Sequence, residues 1–323
     1  MPTHSPHPTT GHSPLTTRPP DYQTTRLPDH LTTRLPDYPT TNYRLMELIP
    51  ADRFSFRQLT EAYNQTRVDY LVPMPMNEAR LREYVYAYDV ALAASCVAMR
   101  HKTTLGLGML GLRPQRGWVT RLGVLPSGRR QGIGQTILEA LLDAAARHQC
   151  REVWLEVIKG NEPAYQLFSK FGFTQTRELI VARRAPGTEA RRMVDMGVRR
   201  VTNLNHEEAL ILLAQRRERP NWLNEIETMS NLRNLSALLV EMNNGGRGWV
   251  TYHAGLLQLT RIVVEVVAGD PAEVTATVLN VLHRLYKRQD AIVENIFEDA
   301  LWSGYQAAGY FDAFHRIEMM LTL

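Results

Sequence analysis

The stretch Arg129-Arg130-Gln131-Gly132-Ile133-Gly134 stands between an apolar run ending V-L-P (124–126) and a helical repeat. Ile133, Ile137, Leu138, Leu141, Leu142 and Ala145 recur at helical spacing and define one apolar face, with Gln135, Thr136, Glu139 and Asp143 opposite. A helix N-terminus presents unpaired N–H groups and partial positive charge. Glycines there let the N–H groups approach a bound anion, and Arg129 or Arg130 adds a full charge. The pattern suits a pyrophosphate. Read alone, it equally suits a tight strand-to-helix turn with incidental arginines. A second pattern, GLGMLG (106–111), has the letters of a dinucleotide fingerprint, but LRPQRGWV comes after it rather than a helix, and no acidic residue stands about 20 positions on. It reads as a glycine-containing strand. No Walker pattern occurs.

The elements that must position this loop are legible around it. YRLMELI (43–49) alternates like a strand, Phe54 to Tyr70 reads as helix, VPMPM (72–76) breaks it, and helix resumes from Glu78 to Tyr88. SCVAMRH (95–101) is a strand, and TLGLGMLGL (104–112) and GWVTRLGVL (117–125) form a pair joined by RPQR. After the helix come a strand REVWLEV (151–157), a short helix EPAYQLFSKF (162–171) and a strand FTQTRELIVAR (173–183). The order predicts a mixed α/β layer.

Bulk properties narrow the class. A chain of 323 residues suggests two domains. No run approaches the roughly 18 apolar residues of a membrane span, and the start lacks a basic-then-apolar signal pattern. Two cysteines, Cys96 and Cys150, make neither a disulfide framework nor a metal site, so a reducing cytoplasm is expected. Net charge of +4 is mild and gives no reason to expect nucleic acid. Residues 1–42 hold nine of the 18 prolines and an eight-residue period (TTRPPDYQ, TTRLPDHL, TTRLPDYP), too short and proline-rich to bury a core. They read as a disordered tail, or alternatively as a docking tail. The basic stretch around 185–192 reads as a linker, and a second globular region runs over 193–323.

Val124, Pro126, Arg129, Gly132 and Gly134 spell V-x-P-x-x-R-x-x-G-x-G, and L-E-V (155–157), Asn161, Ala164 and F-G-F (171–173) come after them. At this separation the two motifs resemble those of the GNAT acetyltransferase superfamily, over about residues 43–184; the layout resembles uncharacterised bacterial two-domain members. The resemblance implies a largely antiparallel mixed sheet flanked by helices, and acetyl-coenzyme A as acyl donor, with no metal. Arg129, Arg130, Gln131, Gly132, Ile133, Gly134 and Gln135 would hold the pyrophosphate. Leu122, Gly123 and Val124 would pair with the pantetheine arm where two strands splay, and support an oxyanion. Asn161 matches a cofactor contact; it also reads as a helix N-cap before Pro163.

An ammonium must lose a proton before it attacks. Glu156 matches the glutamate base of the ribosomal-protein alanine acetyltransferases in this superfamily; its other reading is an exposed strand-face carboxylate. Where those relatives carry an acidic tyrosine, this chain has Phe168. Tyr165, one turn earlier, either packs as an aromatic or reaches the site from a shifted position. Met74, Met76 and Tyr84 fall in the flap expected over the acceptor.

The second half echoes the first. TRLGV (120–124) resembles TRIVV (260–264), a helix comes after each, and AAGYFDAFHRIEMMLTL (307–323) resembles KFGFTQTRELIV. Residues 193–323 read as a degenerate GNAT-like domain whose loop AGDPAEV (268–274) carries Asp270 and Glu273 where anion binding wants positive charge; an unrelated α/β domain is the alternative. The leading functional expectation is a cytoplasmic N-acetyltransferase, monomer or homodimer, acting on an unidentified amine. A non-catalytic acyl-coenzyme A sensor, with Phe168 in place of the acid, is the runner-up, and a two-domain interaction scaffold the third.

Overall fold

A computed structural model of the chain describes residues 46–187, 195–216 and 219–323. The repeat of residues 1–42 and most of the expected linker lie outside them. The first half supplies β1 (Met46–Pro50), α1 (Phe56–Gln65), α2 (Glu78–Ala87), β2 (Cys96–Arg100), β3 (Thr103–Arg113), β4 (Arg116–Val124), α3 (Ile133–Arg147), β5 (Glu152–Ile158), α4 (Glu162–Lys170) and β6 (Thr174–Arg184). Helix α1 starts on a capping box between Ser55 and Gln58. It stops short of the expected Tyr70. Thr66 turns its hydroxyl back onto the Tyr63 carbonyl, and Tyr63 and Asn64 bond the main chain at Met74 and Met76, folding the next segment back along the helix.

The second half supplies β7 (Val198–Leu204), α5 (His206–Ala214), α6 (Ile226–Ser230), β8 (Ser236–Met242), β9 (Arg247–Ala254), β10 (Gln258–Ala268), α7 (Pro271–Leu285), β11 (Asp290–Ile296), α8 (Trp302–Ala307) and β12 (Phe311–Thr322). All twelve strands join one sheet in the order β1-β2-β3-β4-β5-β12-β6-β11-β10-β9-β8-β7. Among the described residues, only β4–β5 and β10–β11 are parallel pairs. In the first half α3 covers one face of the sheet, and α1 and α2 cover the other. In the second half α7 and α5 do the same.

The centre of the sheet departs from a simple split by chain order. β12, the last strand of the second half, inserts between β5 and β6 and pairs with both. β6 in turn pairs with β11, and its Ile180 and Ala182 pack into the second core. Met319 of β12 is fully buried in the first core, beside Leu155 and Phe173. The two halves have exchanged their final strands. The first domain expected over residues 43–184 includes the whole of β6. Local alternation cannot say which neighbour a strand takes, since pairing is decided by long-range packing.

This exchange makes a C-terminal residue part of the N-terminal core. Met319→Ala is expected to destabilise the full chain by about 2–5 kcal/mol, the range for a buried large-to-small change. Urea denaturation would check it, and a loss below about 0.5 kcal/mol, the surface range, would refute the seam.

Candidate active site

β4 and β5 start as a parallel pair but remain hydrogen-bonded only from Arg116–Trp118 against Glu152–Trp154. Beyond that they separate. The cause lies in β4: opposite β3, residues Leu107 and Met109 face Gly123 and Thr120, so Arg121 and Leu122 oppose the single residue Gly108. This is a bulge, and Arg121 takes a positive φ of 54°. A bulge bends its strand and deepens its twist, which swings the end of β4 away from β5. Leu122, Gly123 and Val124 therefore reach the gap with their β5-side main chain unpaired to that strand. The Leu122 carbonyl accepts from Arg67 at 3.1 Å.

The loop below the gap leads into α3. Gly132 is its N-cap, with φ of 77°, a conformation that disfavours any side chain. No side chain caps the helix, so its first-turn N–H groups remain available to a ligand. Gly134 differs. A Cβ there would meet Leu167 and Val124 at an ordinary 3.5 Å. The protein's own packing does not demand glycine at 134; a ligand lying on the helix end would. Ile133 is buried in the α3 core and offers only its backbone. Arg129 is held in a two-pronged pair by Asp69, both contacts at 2.6 Å, and also bonds the Val124 carbonyl. Arg130 is exposed with a φ of 60°. Gln131 bonds the Ser127 carbonyl, and Gln135 bonds Glu139. Asn161 does occupy the N-cap position of α4, but its side chain makes no cap bond. It turns instead toward the Tyr70 hydroxyl at 3.4 Å and lines the cavity into which the gap opens.

That cavity has a volume of about 950 Å³ and is bounded by both halves of the chain. Met74, Met76 and Tyr84 line it, as expected of the flap. Glu156 faces it from β5, half-buried, and its Oε2 accepts from Trp118 Nε1 at 2.8 Å. Withdrawal from solvent, with the Glu318 carboxylate of β12 opposite, pushes its pKa up to about 7, despite opposing help from Arg316 and Trp118. Glu318 is the register partner of Glu156, itself buried and paired with Arg177. A smaller cavity of about 200 Å³ lies beside Glu156, bounded in part by Glu318 and Asn221. Asn221 is buried beside Glu156, close enough for its amide to favour the ionised carboxylate, although neither amide atom makes a full hydrogen bond.

The shifted-acid reading of Tyr165 does not fit the fold. Its ring packs half-buried against the α3 core, and Ala164 and Phe168 line the cavity instead. At Glu162–Lys170 the helix turns Phe168 and Ala164 inward, and one residue's step carries Tyr165 off that face. Three residues that the sequence reading did not assign a role converge here. Trp118 stacks near Tyr84 (6.2 Å between centroids) and Tyr88 (5.6 Å). Arg121 lies 4.1 Å over the Tyr84 ring. Arg261, on β10, bonds the Tyr88 hydroxyl. The signal for the two arginines was present: TRLGV and TRIVV put arginine second in each, and Arg261 repeats the positive φ at 56°.

The second half repeats the splay, with β10 and β11 paired only at Gln258–Leu259. Its helix end is closed. Asp270 caps α7 by accepting from the Glu273 N–H at 2.8 Å. Gly304 of α8 lies so close that a Cβ there would stand 2.6 Å from the Ala272 carbonyl. An anion approaching this helix end meets the Asp270 carboxylate already bonded to its first turn.

Residues 56–173 match the family described as Acetyltransferase (GNAT) family. An N-alpha-acetyltransferase of Sulfurisphaera tokodaii is 32% identical over 105 residues, which are 31% of this chain and 63% of that protein. One from Saccharolobus solfataricus is 30% identical over the same length and shares. The chain thus spans under two thirds of these relatives. Among solved structures, a tandem GNAT protein from the clavulanic acid biosynthesis pathway superposes with TM-score 0.60 at 13% identity, over 86% of this chain and 98% of that one. A GCN5-related N-acetyltransferase from Sphaerobacter thermophilus also gives 0.60, at 16% identity, over 86% and 96%.

Glu156 keeps its proton to about pH 7 when folded, against 4.5 for the free group. Between those values the folded state binds more protons than the unfolded one, so its stability falls as pH rises. Glu156→Gln imitates the protonated form. Its melting temperature relative to the parent chain should therefore rise from pH 5 to pH 8. A difference that does not change with pH would show that Glu156 titrates as an exposed carboxylate.

Proposed function

Because residues 56–173 match the GNAT acetyltransferase family, we propose that this chain is an acetyl-coenzyme A-dependent N-acetyltransferase whose first half moves an acetyl group directly to a primary amine. The observation that carries this reading is the joint arrangement of three features: unpaired β4 main chain in the gap, an uncapped α3 N-terminus below it, and Glu156 facing the same cavity.

The residues fit the donor. The first-turn N–H groups of α3 and the room above Gly134 suit its pyrophosphate, and Arg129 lies alongside once it shares or leaves Asp69. The free β4 edge at Leu122–Val124 suits an extended amide-bearing arm. Glu156 takes the proton from the incoming ammonium; a carboxylate with pKa near 7 is poised for that near neutral pH. The amine then attacks the thioester carbonyl, a C–N bond forms, the C–S bond breaks, and the sulfur leaves as thiolate. Trp118 fixes the Glu156 carboxylate in place. The cavity beside Glu156, with the Asn221 amide next to the carboxylate, suits a water that carries the proton away.

Phe168 supplies no proton to the leaving thiolate. Tyr84 does so in this reading: it lines the cavity, bonds Thr120 Oγ1 at 2.6 Å, and burial raises its pKa, so it stays protonated. Loss of that acid is tolerable because a thiol of pKa about 8.5 leaves readily.

Two measurements test the reading. The pH–rate profile with a turned-over amine should show an acid limb near pH 7. Glu156→Gln should lower turnover by about 10²-fold or more and remove the limb, whereas Tyr84→Phe should lower the rate, toward the low end of about 10²–10⁴, without moving it. Full activity in Glu156→Gln would reject the base. Separately, Gly134→Val should weaken acetyl-coenzyme A binding by about tenfold or more in calorimetry, because its side chain enters the pyrophosphate space. Unchanged affinity would reject the loop assignment.

A further inference from the structure

The cavity wall is unevenly charged. Arg67, Arg121 and Arg261 all line it half-buried. Among the described residues, none has a carboxylate within ion-pair distance. Arg67 donates to the Leu122 carbonyl and lies 4.1 Å over the Tyr70 ring. Arg121 donates to the Tyr63 hydroxyl at 3.0 Å, and Arg261 to the Tyr88 hydroxyl. Neutral oxygens and ring faces thus stand where counter-ions would normally be. The Nε atoms of Arg67 and Arg121 are buried with no hydrogen-bond partner. Glu294 acts through space on Arg121 and Arg261, and Glu83 on Arg261, but neither carboxylate touches them: Glu294 makes its contact with Arg316 at 3.2 Å, and Glu156 accepts from Trp118. A charge removed from water normally comes with a partner.

The position of these cations relative to Glu156 is fixed by an aromatic floor. Trp118 holds Glu156 on one side and stands beside Tyr84 and Tyr88 on the other. Arg121 lies over Tyr84 and Arg261 against Tyr88, its guanidinium 4.9 Å from that ring centre. Tyr84 and Tyr88 are themselves edge-to-face at 4.6 Å. The proton acceptor and these cations therefore flank one aromatic surface, with Arg121 from the first half and Arg261 from a matching bulge in β10, where Thr260 and Val263 face His253 and Thr251.

Resting on the transferase reading, we propose that the acceptor is a small amine that also carries a carboxylate, its ammonium end at Glu156 and its carboxylate at Arg121 and Arg261. The second half then has a binding role: it contributes one arm of the carboxylate clamp, which the first half lacks alone. The floor between the charged ends takes the carbon skeleton. A planar guanidinium matches a carboxylate with two parallel N–H donors, which explains arginine rather than lysine at both bulges.

The test uses the full chain and pairs of acceptors that differ only in the acid: amino acids with a free α-carboxylate, the corresponding α-amides, and peptides with neutral or acidic first residues. Free amino acids should be acetylated with kcat/KM about 10- to 100-fold above their amides, the range for a charge-assisted contact. In Arg261→Gln that ratio should collapse toward one, through KM. A peptide with an acidic first residue that outperforms both its neutral counterpart and free amino acids would keep the carboxylate clamp but move its source to a peptide side chain. Amides or neutral peptides used as well as acids, with the ratio unmoved by Arg261→Gln, would overturn the proposal while leaving the transferase reading intact. The opposite separation comes from calorimetry without donor. Amino acid binding that Arg261→Gln abolishes, in a chain that acetylates nothing, would uphold the carboxylate site and sink the transferase. Absence of binding by any carboxylate, with amines still acetylated, would sink the clamp.

Discussion

The parting of β4 from β5 is the constraint on which the rest of the site depends. Two neighbouring strands that stop pairing leave main-chain donors and acceptors without partners, and such groups must be satisfied. Here the parting is forced by one extra residue, Arg121–Leu122 against Gly108, in a conformation few side chains adopt. The same bulge has three further effects. It frees the strand edge beside the uncapped α3 end, it turns Arg121 over the Tyr84 ring, and it leaves Glu156 of β5 facing an opening instead of a neighbouring strand.

What β5 loses on one edge it regains on the other from β12. Seven register pairs run from Arg316–Ile158 to Thr322–Glu152. This pairing puts Glu318 opposite Glu156 and brings Arg316 near it, so a strand remote in sequence adds to what burial does to the candidate base. A second tie runs the other way: Trp222, from a 3-10 turn at Trp222–Asn224, stacks on Trp118 at 5.7 Å and donates to the Tyr88 carbonyl. Arg113 completes that tie by bonding Asp89, Glu225 and Thr228, a buried pair satisfied on every side. The first half's aromatic floor is thus held from the second half.

The two halves show how one geometry is kept or lost. Both have a bulged strand with an arginine at positive φ, and both have a parallel pair that separates. The difference lies in the loop that leaves the bulged strand. Arg129 to Gly134 leaves a helix end open, whereas Asp270 seals the other with its own carboxylate and α8 closes over it. Helix N-termini attract anions, and an aspartate in the cap position is an anion already supplied by the chain.

By itself, the sequence determined the elements and the open, glycine-led start of α3. Alternation and helical spacing are local properties, so β1 to β6 and α1 to α4 lie close to where the pattern puts them. The exception is α1, whose end is set by Tyr63 and Asn64 bonding a segment further along the chain, at Met74 and Met76. Gly132 could be singled out as a point of close approach at a helix start, whereas its positive φ of 77° is a finding of the structure. Glu156 could be singled out, but nothing local reveals its pKa, because Glu318 and Trp118 arrive through pairing and packing. Tyr165 and Phe168 lie within one turn of the same helix, and only its packing decided which one meets the cavity. The tertiary structure alone decided the strand exchange and the meeting of Arg121 with Arg261. Both rest on contacts between segments far apart in the chain, where the free energy of burial, rather than local preference, selects the partner.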